Sequence, residues 1–278
     1  MRKYAWRVYI AIIFAILYIP IVTLILFSFN DSPSTAEFTG FSLRWYRALF
    51  DEETRDVTFT ALRNTLILAV LSSLISTVIG TAAAEGIYKM KNKIIRKTVT
   101  SVTNIPMMNP EIVTGMSMML FFVATAAILR VEYESIGFFA MLIAHVTFCL
   151  PYVILSVLPR INELGDSLSE AALDLGCTPL QAFFKVKLPN IMPGVISGMV
   201  MAFTMSLDDF VISYFVGSSN FQTLPLLIYS MTKKKVTPDM YALSTLIVVT
   251  IFVLLIFSNI RSGRKLKSEQ GRKRGKVK

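Results

Sequence analysis

The sequence predicts an all-α integral membrane protein with six transmembrane helices, and three observations carry that prediction. The chain is 54% hydrophobic over 278 residues with a mean hydropathy of +0.60, far too apolar for an ordinary soluble domain. Its apolar residues gather into runs of roughly 20 or more, each long enough to cross a hydrocarbon core of about 30 Å at about 1.5 Å per residue. The lysines and arginines are also unevenly shared: with the N-terminus placed inside, 20 of the 28 fall on that side and 8 on the other, as the positive-inside rule requires. The net charge of +10 is thereby a matter of membrane topology, and a nucleic-acid partner is not called for. Of the two cysteines, Cys149 lies in a membrane run and Cys177 in a polar stretch, so no disulfide framework is implied.

The first span, 9–29, is 21 residues without a charge, preceded by Arg2, Lys3 and Arg7. It is too long for a signal peptide, and no small-residue cleavage site closes it. The others are 62–84, then 99–129 interrupted by Pro106 and Pro110, 136–158 with His145 and Pro151, 191–216, and 241–260. A transmembrane domain thus occupies 1–262, and a basic, disordered tail at 263–278 shares the inner side with the N-terminus. The first external loop holds Trp45 and Tyr46, which either form part of the interfacial aromatic belt or receive a cation on their faces. The last external segment carries Leu224 to Tyr229 and then Lys233 to Lys235. It either dips toward a translocation path, lining it with Tyr229, or docks a partner, and both readings stand.

Between the fourth and fifth spans lies Ser167 to Pro193, which reads as two short helices joined by a turn. Ser167 with Glu170 has the spacing of a capping box, Gly176 suits a C-terminal cap, and Thr178-Pro179-Leu180-Gln181 starts a second helix with a second box. Leu168, Ala171, Ala172 and Leu175 share one face of the first helix, and Leu180, Phe183 and Phe184 one face of the second. Both faces need a cover. Glu170-Ala171-Ala172, three residues, Gly176, nine residues, Val186, one residue and Leu188-Pro189 together resemble the cytoplasmic coupling motif of ATP-binding-cassette importer permeases, with valine at 186 where isoleucine is usual. That resemblance implies that Glu170, Ala171, Ala172, Gly176, Leu188 and Pro189 engage a separate ATPase subunit and carry its motion into the membrane. The ATPase is expected on another chain, since no G-x-x-x-x-G-K-[ST] loop occurs in the sequence.

Three acids lie inside predicted spans: Glu111 in the third, Asp208 and Asp209 in the fifth. At a helix centre each opposes insertion by roughly 2.5–3.5 kcal/mol. The uninterrupted cores of the spans hold no lysine or arginine. Counting inward, His145 and Asp208 fall at similar depths of about 14 and 12 Å, which makes them candidates for pairing. Protonation of an acid, or a cation from a partner subunit, would serve equally. The functional reading is that the acids line a watery path and meet a positively charged solute, with Pro106 and Pro110 breaking the helix ahead of Glu111. Asp208 and Asp209 cannot face the same way on a helix, so one of them points elsewhere.

Tyr-Ile-Pro-Ile at 18–21, Phe-Ser-Phe-Asn at 27–30, Trp45-Tyr46, Met-Met-Asn-Pro-Glu at 107–111, His145 with Thr-Phe-Cys-Leu-Pro at 147–151, Ser-Leu-Asp-Asp at 206–209 and Leu-Pro-Leu at 224–226 resemble the C-subunit branch of the spermidine/putrescine permeases. The resemblance implies a type I importer permease fold and a bacterial cytoplasmic (inner) membrane location. It further implies a second, homologous permease, a pair of ATPase subunits that bind ATP and Mg, an extracytoplasmic polyamine-binding protein, and surrounding lipid. This chain would bind no cofactor and no metal and would catalyse nothing itself. Competing readings are an importer of the same kind for ferric iron or thiamine, a membrane enzyme built on His145, Asp208 and Asp209, and a proton-coupled carrier. A single histidine and the absence of an H-E-x-x-H pattern weigh against the enzyme.

Overall fold

The computed structural model describes residues 2–32, 37–49, 52–108, 111–218, 220–233, 240–246, 248–250 and 252. The chain divides into two compact units, one of Met1–Thr60 with Leu227–Lys278 and the other of Ala61–Leu226. Among the described residues the only extended pairings are two isolated bridges, Asn30 with Phe41 and Ser218 with Phe221. Everything else that is regular is helical.

In the first unit, α1 (Arg2–Phe27) is followed by a loop and the short α2 (Arg44–Ala48). No part of the apolar stretch Trp6–Phe27 is buried by the rest of the chain, as expected of a helix whose surroundings are lipid or another subunit. The loop after it is tied together by Asn30, only 1% exposed. Its side-chain amide donates to the Glu37 carbonyl at 2.6 Å and accepts from the Thr39 N–H at 2.9 Å. The indole N–H of Trp45 reaches the Asn30 carbonyl at 2.6 Å, and the Tyr46 hydroxyl meets Ser28 Oγ at 2.7 Å. Phe29 stacks on Phe41 and packs against Tyr46, with ring centres 5.2 and 5.1 Å apart.

The second unit holds the core. Helix α3 (Glu52–Lys89) enters it, followed by α4 (Lys93–Met108), α5 (Glu111–Leu129) and α6 (Tyr133–Leu164), then the short pair α7 (Ser167–Asp174) and α8 (Pro179–Ala182). A π-helical turn, Phe183–Lys187, leads into α9 (Leu188–Leu207), and α10 (Val211–Val216) follows; α11 (Leu224–Thr232) closes the series. The wide turn stands just ahead of Pro189, whose nitrogen cannot donate to the Lys185 carbonyl as a regular helix would require.

Helix α6 packs along α9, and α10 lies against α5 and α6. The α6–α9 seam is made by small residues at four-residue spacing: Gly194, Gly198 and Ala202, all buried. A β-carbon on Gly194 would stand 2.8 Å from the Ser156 carbonyl, and one on Gly198 would stand 3.1 Å from Val153 Cα. Val153 also fills the space beside Gly80 of α3, where an added β-carbon would come within 2.7 Å of its Cγ1. Three helices therefore meet around one valine. In lipid, where hydrophobic exclusion does not drive helices together, such backbone-level contact is a main source of association.

Five helices among the described residues are long and apolar enough to cross a membrane: Trp6–Phe27, Arg55–Lys89, Glu111–Leu129, Tyr133–Leu164 and Pro179–Leu207. The third expected span is described as α4 and α5, with Asn109 and Pro110 between them outside the described residues. The fifth is not continuous: it stops at Leu207 and resumes as α10 at Val211. Of the expected sixth span, Met240–Thr250 is a shorter apolar helix, while 253–260 and the basic tail lie outside the described residues.

Substituting Gly194 by alanine should overpack the seam and lower the stability of the purified protein by about 1–3 kcal/mol. Gly86→Ala, at a helical position where an added methyl meets nothing within 4 Å, should instead stabilise by up to about 1 kcal/mol. Thermal denaturation of both variants in the same detergent checks the contrast.

Candidate functional site

Two places in the second unit collect the residues singled out in the sequence, and α9 carries one at each of its ends. At its start is the α7–α8 pair. Gly176 adopts φ +86°, and the Gly176 and Cys177 N–H groups donate to the Leu173 and Ala172 carbonyls at 2.9 and 3.0 Å. This is a Schellman closure of α7, which needs a left-handed residue and so favours glycine. Thr178 and Gln181 form the expected reciprocal capping box, at 3.1 and 3.3 Å, with Pro179 in the first turn.

The expected box between Ser167 and Glu170 does not form. Asp166 already has helical dihedrals, and no side chain caps α7, so Ser167 sits inside the first turn with the wrong backbone geometry for a cap. Glu170 is thereby left at the surface, free of the capping duty that a purely structural role would give it. The small residues Ala172 and Ala182 are buried, whereas Leu175, Leu180 and Phe184 are 87%, 71% and 60% exposed. The pair thus presents an apolar surface that this chain does not cover.

At the far end of α9 the chain breaks at the two aspartates, and neighbouring residues meet opposite fates. Asp209 turns inward, its side chain 2% exposed and its Oδ2 3.5 Å from His145 Nε2. Its carboxylate accepts from the Ile212 and Ser213 N–H groups at 3.2 and 2.8 Å, satisfying donors that the first turn of α10 would otherwise leave orphaned. His145 also contacts Ser206 Oγ at 2.8 Å and Ser213 Oγ at 3.3 Å, and Ser72 of α3 donates to Ser206 at 2.8 Å. The partner of His145 is therefore Asp209 and not Asp208: depth along the helix is nearly equal for the two, and the break after Leu207 decides which one turns in. With its oxygens engaged in the core, Asp209 is the one of the two that points away from the surface.

Asp208 points outward. Gly115 of α5 admits α10 closely, an added β-carbon there lying 3.0 Å from Phe215 and 3.5 Å from the Val211 carbonyl. Glu111, one turn earlier on α5 and likewise exposed, is thereby brought toward Asp208, with which it interacts electrostatically. Glu111 also interacts with Tyr152 of α6, a residue the sequence reading passed over although it directly follows the quoted run ending in Pro151. The Glu111 carboxylate thus lies within electrostatic reach of both Asp208 and Tyr152.

In the first unit the aromatic candidates have structural occupations. The ring of Trp45 carries the Arg44 guanidinium 5.2 Å from its centre, so one of its faces is engaged by the chain's own cation. Tyr46 is held by Ser28 and Phe29. The ring of Tyr229 lies 4.8 Å from Lys233 Nζ.

Residues 76–263 match the family described as binding-protein-dependent transport system inner membrane component. The chain is 36% identical over 250 residues to the putrescine transport system permease protein PotI of Escherichia coli K12, covering 90% of this chain and 88% of that protein. It is also 36% identical over 259 residues to the spermidine/putrescine transport system permease protein PotC of the same organism, covering 93% and 94%. Among solved structures it resembles a chain of a bacterial ABC transporter involved in the import of the acidic polysaccharide alginate, with TM-score 0.75, 18% identity and coverage of 94% and 95%. A chain of the MetNI methionine ABC transporter gives 0.63 at 21% identity, with coverage of 77% and 98%. These two likenesses are of fold.

Asp209→Ala should destabilise the protein by about 1–3 kcal/mol, because it leaves the buried Ile212 and Ser213 N–H groups without their acceptor. Asp208→Asn, at the exposed neighbour, should stay within about 0.5 kcal/mol of the parent. Denaturation midpoints in detergent distinguish the two, and equal midpoints would contradict the division of labour.

Proposed function

The chain belongs to the binding-protein-dependent transport system inner membrane components, and on that premise we propose that it is the permease subunit of a type I ABC importer that carries polyamines inward. The observation that carries the substrate is that two exposed acids, Glu111 and Asp208, lie within electrostatic reach of one another in a membrane region whose span cores hold no lysine or arginine. Left bare, two such acids oppose insertion by about 5–7 kcal/mol. A solute with two or more ammonium groups compensates them only while it is present, which suits a path and not a store. The similarity to putrescine and spermidine/putrescine permeases supports this choice.

The chain acts without catalysing: ATP and Mg belong to an ATPase dimer that meets the exposed Leu175, Leu180 and Phe184 together with Glu170 and Ala171. Leu188 and Pro189 begin the helix that conducts the motion inward. A homologous second permease completes the cavity, and an extracytoplasmic binding protein delivers the polyamine. The protein sits in a bacterial inner membrane with the α7–α8 pair and both termini on the cytoplasmic side, as the distribution of basic residues requires.

The test is uptake of labelled spermidine by import-deficient cells expressing this chain with its operon neighbours, competed by putrescine, ferric citrate and thiamine. Competition by putrescine alone is the expected result; no spermidine uptake from an assembled, ATP-hydrolysing complex would discard the polyamine. Glu170→Ala should abolish uptake while leaving the chain in the membrane at parental level. Glu111→Gln should lower spermidine uptake by about tenfold, the equivalent of about 1.4 kcal/mol, with assembly and ATP hydrolysis intact.

A further inference from the structure

The α7–α8 pair is fastened to the rest of the second unit by contacts that the coupling motif does not include. Lys187, the residue between Val186 and Leu188, is 2% exposed. Its Nζ reaches both oxygens of Glu85 on α3, each at 2.9 Å, and lies 4.5 Å from the centre of the Tyr88 ring. The Glu85 side chain is 12% exposed and also takes Lys89 at 3.2 Å. Tyr88, three residues after Glu85 and so on the same face of α3, interacts in turn with the Asp166 carboxylate immediately ahead of α7. Asp166 precedes the pair and Lys187 follows it. Its far end is therefore fastened to one turn of α3, and its near end, at Asp166, lies within electrostatic reach of Tyr88 on the same turn.

Resting on the importer reading above, we propose that Glu85 and Lys187, backed by Tyr88, form the positioning link that makes α3 move with the coupling pair when the ATPase displaces it. An ion pair removed from water behaves as a strut. Separating the partners strands charges in a poorly solvated place, so small displacements carry both helices together instead of opening the contact. The second tie between the same helices, Ser72 to Ser206 at 2.8 Å, lies later along α9 and earlier along α3. Glu85 stands opposite Lys187 and Ser72 opposite Ser206, so α3 and α9 run antiparallel and are held at two levels. A push delivered to the start of α9 thus reaches α3 directly, without passing first through α6.

The experiment uses the assembled transporter in proteoliposomes, reading ATP hydrolysis and polyamine uptake together. Lys187→Met and Glu85→Gln should lower uptake per ATP hydrolysed by about tenfold while hydrolysis itself stays within about threefold, the signature of a broken link in an assembled machine. The reversed pair, Glu85→Lys with Lys187→Glu, should recover much of the loss, as coupled partners do in a double-mutant cycle. Unchanged uptake per ATP in Lys187→Met, or equal losses of both readouts in the single and reversed variants, would overturn the proposal. A second measurement needs no variant of the link: spin labels at Gly86→Cys on α3 and Ser167→Cys on α7 should keep one separation with and without nucleotide. A nucleotide-dependent change in that separation would also overturn it. Absence of uptake by the unaltered complex would instead fall on the polyamine reading, because hydrolysis and label separations are read without the substrate.

Discussion

The close approach of α6 and α9 is the constraint on which the second unit depends. Lipid offers no hydrophobic reward for bringing two apolar helices together, so their cohesion must come from many short contacts and a few polar ties. Gly194, Gly198 and Ala202 strip one face of α9 to its backbone and let α6 lie on it, and Val153 plugs the junction with α3. A helix seated this closely over 20 residues is a rod of about 30 Å. One end of that rod emerges from the coupling pair through a π turn, and the other ends at Asp208. One packed element thereby joins the α7–α8 pair to the level of the intramembrane acids.

The polar residues inside the unit fix the geometry that the glycines permit. Ser72, His145, Ser206, Ser213 and Asp209 connect α3, α6, α9 and α10 through contacts of 2.8–3.5 Å. In a medium with few competing partners, each group's alternative is an unsatisfied polar atom, so the set favours one arrangement of the four elements over its neighbours. The network also explains why α10 exists as a separate helix. Asp209 supplies the acceptor that the first turn of α10 needs, and the chain can stop at Leu207 and restart without orphaning backbone groups.

What was legible in the sequence was local, and what was not depended on where the chain breaks. Gly176 and the Thr178–Gln181 box are settled within a few residues by backbone dihedrals and reciprocal hydrogen bonds, and both form as their spacing implies. Ser167 looked equally well placed, but Gly165, at φ +67°, turns the chain so that Asp166 is already helical and the cap position passes by. Counting residues inward placed His145 level with the aspartates, yet it could not separate two adjacent acids just past the end of a helix. The Glu85–Lys187 pair was invisible for another reason. Its members lie 102 residues apart, each at the margin of an apolar run, where a charge reads as a flank and not as half of a buried contact.

The contrast between Asp208 and Asp209 separates two uses of a carboxylate in a membrane. A carboxylate whose oxygens already accept two backbone N–H groups beside an imidazole has little left to offer a passing solute, and a polyamine would have to break those bonds to be held. An exposed carboxylate at a helix break keeps its solvation until the cation arrives and regains it on departure. Transport requires entry and release alike, so affinity must stay modest. Two exposed acids on different elements, Glu111 at the start of α5 and Asp208 at the end of α9, meet that requirement better than a buried pair would. Their separation is set by how α10, which follows α9 in the chain, lies against α5, and α9 is the element that begins beside the α7–α8 pair.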